Sequence, residues 1–288
     1  MGQTRQYGRC GQRQTRDGSS GHDPRAGAPL PLGLRMKDSM NSNQTKTQRS
    51  LPRRLMTRVG KRFLHWIDRL QIRHSRIPTD PFLDNGLFDW VPRLEAATGE
   101  IRAELNTVMQ RPEDIPSFHQ ISPDQERISK GNNWKTFGFF VFGQPVEDNC
   151  ARCPRTAALL SSLPGLQNAM FSILAPRYHI PPHKGPTRAL VRCHLALQVP
   201  KDSENCWIRV DDQIRNWEEG KVLLLDDTYE HEVRNDTDET RVVLFLDFDR
   251  PMDRIGNFFN QTVISLIRAS SYARKPLKNL KAWNQQRR

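Results

Sequence analysis

The chain has 288 residues, enough for one large domain with tails or two small ones, and 36% apolar residues with a mean hydropathy of −0.71 leave part of it outside any core. The net charge of +12 is segregated: residues 1–79 carry 17 Lys or Arg against 4 Asp or Glu, residues 80–249 carry 18 against 27, and residues 250–288 carry 9 against 1. An acidic centre between basic ends argues against a nucleic-acid enzyme, whose reading domain would itself be basic, and for contact with an anionic surface; solvated tails with no partner are the plainer alternative.

Residues 1–50, rich in Gly, Gln, Arg, Ser and Asn, lack apolar periodicity and are expected to be a disordered basic region, with Met36 and Met40 as alternative starts. Residues 51–79 hold a basic amphipathic helix. Leu55, Val59, Phe63, Trp66, Ile67 and Leu70 recur at helical spacing, and Arg54, Arg58, Lys61, Arg62, Arg69 and Arg73 fill the other face. Such a helix lies in a membrane interface or docks on a core, and the pattern leaves both open. A globular part follows over 80–252. Leu94 to Met109 reads as a helix ended by Pro112, Trp134 to Val141 as an aromatic strand, and Arg155 to Leu163 as a short helix stopped by Pro164-Gly165. From residue 168 the pattern turns to strands at 169–174, 189–199, 206–210, 221–225, 230–234 and 241–248. Short strands at this spacing predict a mainly β fold, a barrel or jelly roll with flanking helices. Residues 253–288 read as a second amphipathic helix, with Ile255, Phe258, Phe259, Val263, Leu266 and Ile267 as its stripe, and a basic tail.

The five cysteines, Cys10, Cys150, Cys153, Cys193 and Cys206, do not make a disulfide framework, and the single Cys150-x-x-Cys153 pair lacks the second pair that zinc requires. The first 30 residues have no apolar stretch of the secretory kind, so a cytoplasmic location is expected.

The residues that carry chemistry are His183, His231 and Arg241. Two imidazoles suit iron or a similar divalent metal, and a buried cation one strand later suits an anionic co-substrate that chelates it. His183 ends the irregular-looking Pro181-Pro182-His183, His231 opens a strand, and Arg241 starts the last strand, expected to pair near the His231 strand. Arg192 and His194 alternate on one strand and share a face. If that face is interior, Arg192, His194 and Arg241 converge on the metal, and interior arginines imply an anionic ligand. For His194 alone, a satisfied core histidine is the commoner case. Trp134, Phe137 and Phe140 line the cleft or belong to the core.

Residues 80–255 resemble the aspartyl/asparaginyl β-hydroxylase family. The stretches that carry the resemblance are Phe171-Ser172-Ile173-Leu174, His183-Lys184-Gly185-Pro186-Thr187, Arg192-Cys193-His194-Leu195, Trp217-Glu218-Glu219-Gly220-Lys221 and Asp226-Asp227-Thr228-Tyr229-Glu230-His231-Glu232-Val233. Asp84-Asn85-Gly86-Leu87-Phe88 and Cys153-Pro154-Arg155-Thr156 match upstream. The resemblance implies a double-stranded β-helix and a dioxygenase that uses Fe(II), 2-oxoglutarate and O2 to hydroxylate an unactivated C–H bond. It implies that His183 and His231 bind iron and that Ser172, Arg192, His194 and Arg241 hold the oxoglutarate carboxylates. The family lacks the usual third, acidic ligand and leaves its place to water; here Gly185 stands there, and Asp227 is a candidate to orient that water.

The ending Asp249-Arg250-Pro251-Met252 resembles the bacterial lipid A 2-hydroxylases, whereas Glu230-His231-Glu232-Val233 and the Trp217 block read more like the peptide-hydroxylating branch. The expectation is a peripheral enzyme on the inner face of the cytoplasmic membrane acting on a lipid acyl chain. A peptide aspartyl, asparaginyl or prolyl hydroxylase is the runner-up, and a non-catalytic cupin-like metal-binding module is the reading from another class.

Overall fold

The computed structural model describes residues 66–287. The expectations for residues 1–50 and for the first part of the helix at 51–79 lie outside them. In chain order, a helix over residues 66–74 (α1) leads to β1 (Phe82–Leu83), α2 (Val91–Ala96), α3 (Thr98–Met109), the short α4 (Phe118–Ile121), β2 (Trp134–Val141), β3 (Gln144–Pro145), α5 (Glu147–Arg152) and α6 (Pro154–Ser161). Strands then run without interruption by a helix of α type: β4 (Leu166–Leu174), β5 (Tyr178–His183), β6 (Leu190–Gln198), β7 (Cys206–Val210), β8 (Gln213–Asn216), β9 (Val222–Leu225), β10 (His231–Asn235) and β11 (Arg241–Asp249). Helices α7 (Arg254–Ala269) and α8 (Ser271–Gln285) close the chain.

The strands form two antiparallel sheets, of seven strands in the order β1-β9-β6-β11-β4-β2-β3 and of four in the order β5-β10-β7-β8. Leu174, Ala196, Val243 and Phe245 of the large sheet pack with Ile180, Ile208, Val210 and Val233 of the small one, so the sheets lie face to face. This is the expected double-stranded β-helix. The other face of the large sheet is covered by α2, α3 and α6, through Leu94, Ile101, Leu105 and Leu160. Strand β11 is therefore buried on both sides, with Val242, Leu244, Leu246 and Phe248 toward the helices and Val243 and Phe245 toward the small sheet. That explains a nearly continuous apolar run in place of alternation.

Two expectations are corrected. Pro181-Pro182-His183 belongs to a strand, because β5 is an edge strand and an edge position tolerates prolines without a ladder donor. Arg241 does not pair beside His231: β10 and β11 sit in opposite sheets, joined by the turn after Asn235. Residues expected as a basic tail form α8, whose Leu280 is buried and whose Trp283 indole donates to the Asp114 carbonyl at 2.8 Å. The Cys150 and Cys153 thiols are free, and burial raises both, that of Cys153 to about 12, which fits their incidental reading.

The described end of the basic helix docks on the core through polar contacts. Gln71, buried, donates to the Asn260 side chain of α7 at 3.1 Å, His74 meets Asp253 at 2.8 Å, and Asp68 accepts from Arg188 at 2.8 Å. Beneath them, the fully buried carboxylate of Asp226 binds Arg250 at 2.5 Å and Arg188 at 2.7 Å, and Arg250 also donates to the carbonyls of Arg188 and Pro78. Replacing Asp226 with Asn would leave the fully buried Arg250 guanidinium without its counter-charge and Arg188 with Asp68 alone, so Asp226→Asn is expected to lose about 3–5 kcal/mol in denaturant unfolding.

Candidate active site

His183 at the end of β5 and His231 at the start of β10 are register partners. Their ring centroids are 4.1 Å apart. Each ring has its Nδ1 against a carbonyl two residues back, His183 on Pro181 at 2.9 Å and His231 on Tyr229 at 3.0 Å. A carbonyl only accepts, so the proton sits on Nδ1 and each Nε2 keeps its lone pair. Burial lowers the pKa of His183 to about 4 and that of His231 to about 3, the neighbouring His183 and Arg192 adding to the effect on His231. Both imidazoles are therefore neutral at physiological pH. Among the described residues, no third His, Cys, Asp or Glu joins them in a cluster arranged to hold a metal.

The place two residues after His183 is filled from another segment. The Gly185 amide donates to the Asp227 carbonyl at 2.7 Å, and a Cβ at position 185 would lie 2.2 Å from Asp227 Oδ2. Only glycine fits, because the Asp227 carboxylate occupies that space. Arg192 Nη2 holds Asp227 at 2.8 Å and Arg192 Nε holds Asp247 at 3.0 Å, while Asn168 donates to Asp247 at 3.0 Å. Burial raises the pKa of Asp227, and Arg192 opposes that rise. Gly185→Ala should drive Asp227 off Arg192 and cost about 1–3 kcal/mol of stability. Combined with Asp227→Ala, the losses should be less than additive, because the clash vanishes with the carboxylate; a double-mutant cycle by chemical unfolding measures this.

A second cluster lies on the same inner face. Side chains at alternate positions of a strand share a face, and Ser172 of β4, His194 of β6 and Arg241 of β11 all point between the sheets. Arg241 is 1% exposed and, among the described residues, has no carboxylate partner and no bond at its Nε; its Nη1 reaches the Ser172 carbonyl at 3.4 Å, and its Cζ stands 4.6 Å over the Trp217 ring. Burial lowers its pKa to about 10. Both nitrogens of buried His194 and the Trp217 indole nitrogen are likewise unpartnered. Burial, then Arg241, push the His194 pKa well down. The Trp134 indole donates to Ser172 Oγ at 3.0 Å. Four of the seven buried side-chain polar atoms without a partner among the described residues thus meet in one place. Such atoms are costly, and a buried guanidinium especially so, unless a ligand completes them. The donors call for a small anion.

Of the four residues expected to hold a co-substrate, the structure brings Ser172, His194 and Arg241 together. Arg192 shares their face but is already engaged by two carboxylates. Trp134 joins the cluster, Phe140 lines the adjoining cleft, and Phe137 is core, stacked on Phe171. Trp217 and Asp247 were missed as individual residues. Asp247 was findable, since it is in phase with Arg241 along β11; Trp217 lies outside the strands and gave no such signal.

The sequence model of the family described as aspartyl/asparaginyl beta-hydroxylase matches residues 95–251. An ornithine lipid ester-linked acyl 2-hydroxylase from Rhizobium tropici is 40% identical over 228 residues, covering 79% of this chain and 81% of that protein. The aspartyl/asparaginyl beta-hydroxylase of Mus musculus is 34% identical over 172 residues, covering 56% of this chain but only 23% of the mouse protein. Among solved structures, a Pseudomonas putida prolyl-4-hydroxylase aligns at 18% identity with a TM-score of 0.35, covering 53% of this chain and 87% of that one.

Proposed function

The chain belongs to the aspartyl/asparaginyl β-hydroxylase family, and from that premise we propose that it is an Fe(II)- and 2-oxoglutarate-dependent dioxygenase that hydroxylates the acyl chain of a membrane lipid. The observation that carries the reading is a neutral histidine pair and an unpaired buried guanidinium on facing sheets, with His194 under the electrostatic influence of both His231 and Arg241. His183 and His231 would hold the iron, each through Nε2. Arg241, aided by His194, Trp217 and Ser172, would take the far carboxylate of 2-oxoglutarate, a charge-assisted pairing that satisfies donors left open by the protein. Asp227, held by Arg192, would orient water at the position that Gly185 leaves without a ligand.

The bound groups together supply O2 activation: R–H, O2 and 2-oxoglutarate give R–OH, succinate and CO2, one oxygen atom going to each organic product. The protein's own part is to keep the imidazoles unprotonated, to bind the diacid, and to bury the site between two sheets away from bulk water. A non-catalytic cupin-like module would need no such clamp, and Arg241 counts against it.

The lipid substrate rests on identity to the Rhizobium protein over most of both chains. A peptide side chain is the second reading, favoured by the ionic floor of Arg192, Asp227 and Asp247, which would receive polar groups. Fe(II) and 2-oxoglutarate binding are measured without O2; O2 is then admitted and succinate quantified with ornithine lipid, lipid A or an aspartate-containing peptide present. Succinate formation stimulated by a lipid is expected. Metal binding with no 2-oxoglutarate affinity would overturn the enzyme reading, and stimulation by the peptide alone would overturn the lipid reading.

A further inference from the structure

The four-stranded sheet does not cover the whole inner face of the seven-stranded one. Over the part made by β2, the first half of β4 and the end of β11, the covering elements are α4 and the α7–α8 hairpin, and between them and the sheet lies a cleft of about 150 Å³. One register row leads from it to the co-substrate cluster. Gly138 of β2 stands opposite Met170 of β4, Met170 opposite Phe245 of β11, and Phe245 opposite His194 of β6. At about 4.8 Å per strand, that row spans roughly 14 Å.

The polarity along the cleft is graded. Its inner end holds Arg192, Asp227 and Asp247. Its walls are mainly apolar, formed by Phe140, Met170, Phe245, Ile267 and Leu280, with Gln125 and the Lys275–Asp124 ion pair at the edge made by α8 and the segment after α4. Leu280 seats directly over Gly138, where a Cβ would lie 2.8 Å from its Cδ1, so the roof at that end is a single side chain of α8. Helix α8 is pinned there, Asn279 donating to the Ile121 carbonyl and Asn284 to the Asn149 side chain, each at 2.9 Å. A site that is ionic at its inner end and mainly apolar along its walls matches an ester-linked chain better than a peptide side chain.

The hairpin that bounds the cleft has an outer face and a charge that would suit contact with lipid. Helix α7 turns Gly256, Asn260 and Ile264 inward, while Ile255, Phe258 and Leu266 are 58%, 70% and 67% exposed on its outer side. Nine Lys or Arg against one acid over 250–288 give this segment the charge that an anionic bilayer attracts.

Building on the hydroxylase reading, we propose that this cleft is the acyl-chain site. The ester end lies toward Arg192 and Asp227, the chain runs over Met170 toward α8, and Leu280 sets the chain length accepted. Because the carbon attacked stands next to the ester, the remainder of the chain needs an apolar run leading away from the metal, and this cleft begins at the site's own Asp227 and Phe245.

The test uses the full chain with Mn(II) in place of iron and saturating 2-oxoglutarate, with the fluorescent methyl ester of cis-parinaric acid as probe; a neutral ester does not compete for Arg241. Saturable binding by the wild type is expected. Met170→Trp and Ile267→Trp should weaken it at least tenfold and leave the 2-oxoglutarate Kd within twofold, which also reports folding. Leu280→Ala should keep binding and shift the preference, read by competition with saturated methyl esters, toward longer chains. A wild type that binds 2-oxoglutarate but not the ester, or Trp variants and Leu280→Ala indistinguishable from wild type, would overturn the cleft assignment and leave the hydroxylase reading standing. A wild type that binds the ester but not 2-oxoglutarate would overturn the reading on which it rests.

Discussion

Arg241→Met is expected to weaken 2-oxoglutarate binding at least about 30-fold while raising the melting temperature of the ligand-free protein. The two effects have one cause. Without a ligand, the guanidinium is 1% exposed and, among the described residues, has no counter-charge and makes a single long bond, to the Ser172 carbonyl. Its lowered pKa reports the same penalty, which falls on the charged form. Methionine fills a similar volume with no charge to desolvate, and exchanges of this kind stabilise by about 1–4 kcal/mol. At about 2–4 °C per kcal/mol for a protein of this size, the rise is readily seen by calorimetry. Against that, losing one partner of a buried charge pair costs about 2–5 kcal/mol, a Kd weaker by at least about 30-fold at about 1.4 kcal/mol per factor of ten. Added 2-oxoglutarate should raise the melting temperature of the wild type and leave the variant unmoved. A variant that melts below the wild type without ligand, or that gains equally from 2-oxoglutarate, would remove Arg241 from the clamp.

The second large effect concerns the metal. His183→Ala and His231→Ala are each expected to reduce Fe(II) affinity by more than a hundredfold and to end turnover, since the described residues supply no third ligand to compensate. The pH dependence follows from the lowered pKa values. An ordinary imidazole begins to lose metal to protons below pH 6.5, whereas this pair stays neutral down to about pH 4, so Fe(II) affinity should change little between pH 8 and pH 5. The same shift acts on folding with a definite sign. Between the unfolded value of 6.5 and the folded values of about 4 and about 3, the unfolded chain binds protons that the native one refuses. Stability of the metal-free protein should therefore fall as pH drops through that window. In the alanine variants the slope should be shallower, and equal slopes in wild type and variants would contradict the buried, neutral pair. Denaturant titrations at a series of pH values provide the measurement.

The sites differ in how far a reader of the chain alone could find them. His183, His231 and Arg241 stand out because histidines and arginines are unusual beside β-branched runs, Arg192 and His194 follow from their alternation on one strand, and Ser172 follows from the family resemblance alone. What spacing does not reveal is who pairs with whom. Arg192 and Arg241 look equivalent as interior arginines, yet Asp227 and Asp247 neutralise the first and no described residue neutralises the second. That difference comes from tertiary register, since Asp247 faces Arg192 only because β6 and β11 are neighbours. The strands from β4 onward were legible from their β-branched and alternating pattern. Edge strand β5 was hidden by its two prolines. Helix α8 was hidden by a charged composition and an internal Pro276, and it is held by contacts with α4 and β2 that no local pattern records.

Strand β11 joins two jobs in one stretch of chain, with Arg241, Phe245 and Asp247 turned to the proposed site between the sheets and Val242, Leu244, Leu246 and Phe248 turned to the helices. It can be treated as a reading frame of period two. Substitutions in the helix-facing frame should be graded by volume, and those in the other frame by charge and ligand. A deletion of one residue would be worse than any substitution in either frame, because it would exchange the two sets wholesale, sending the guanidinium into the apolar layer and a leucine to the diacid. A deep insertion–deletion scan would therefore show β11 as a segment that tolerates conservative exchange position by position but no change in length.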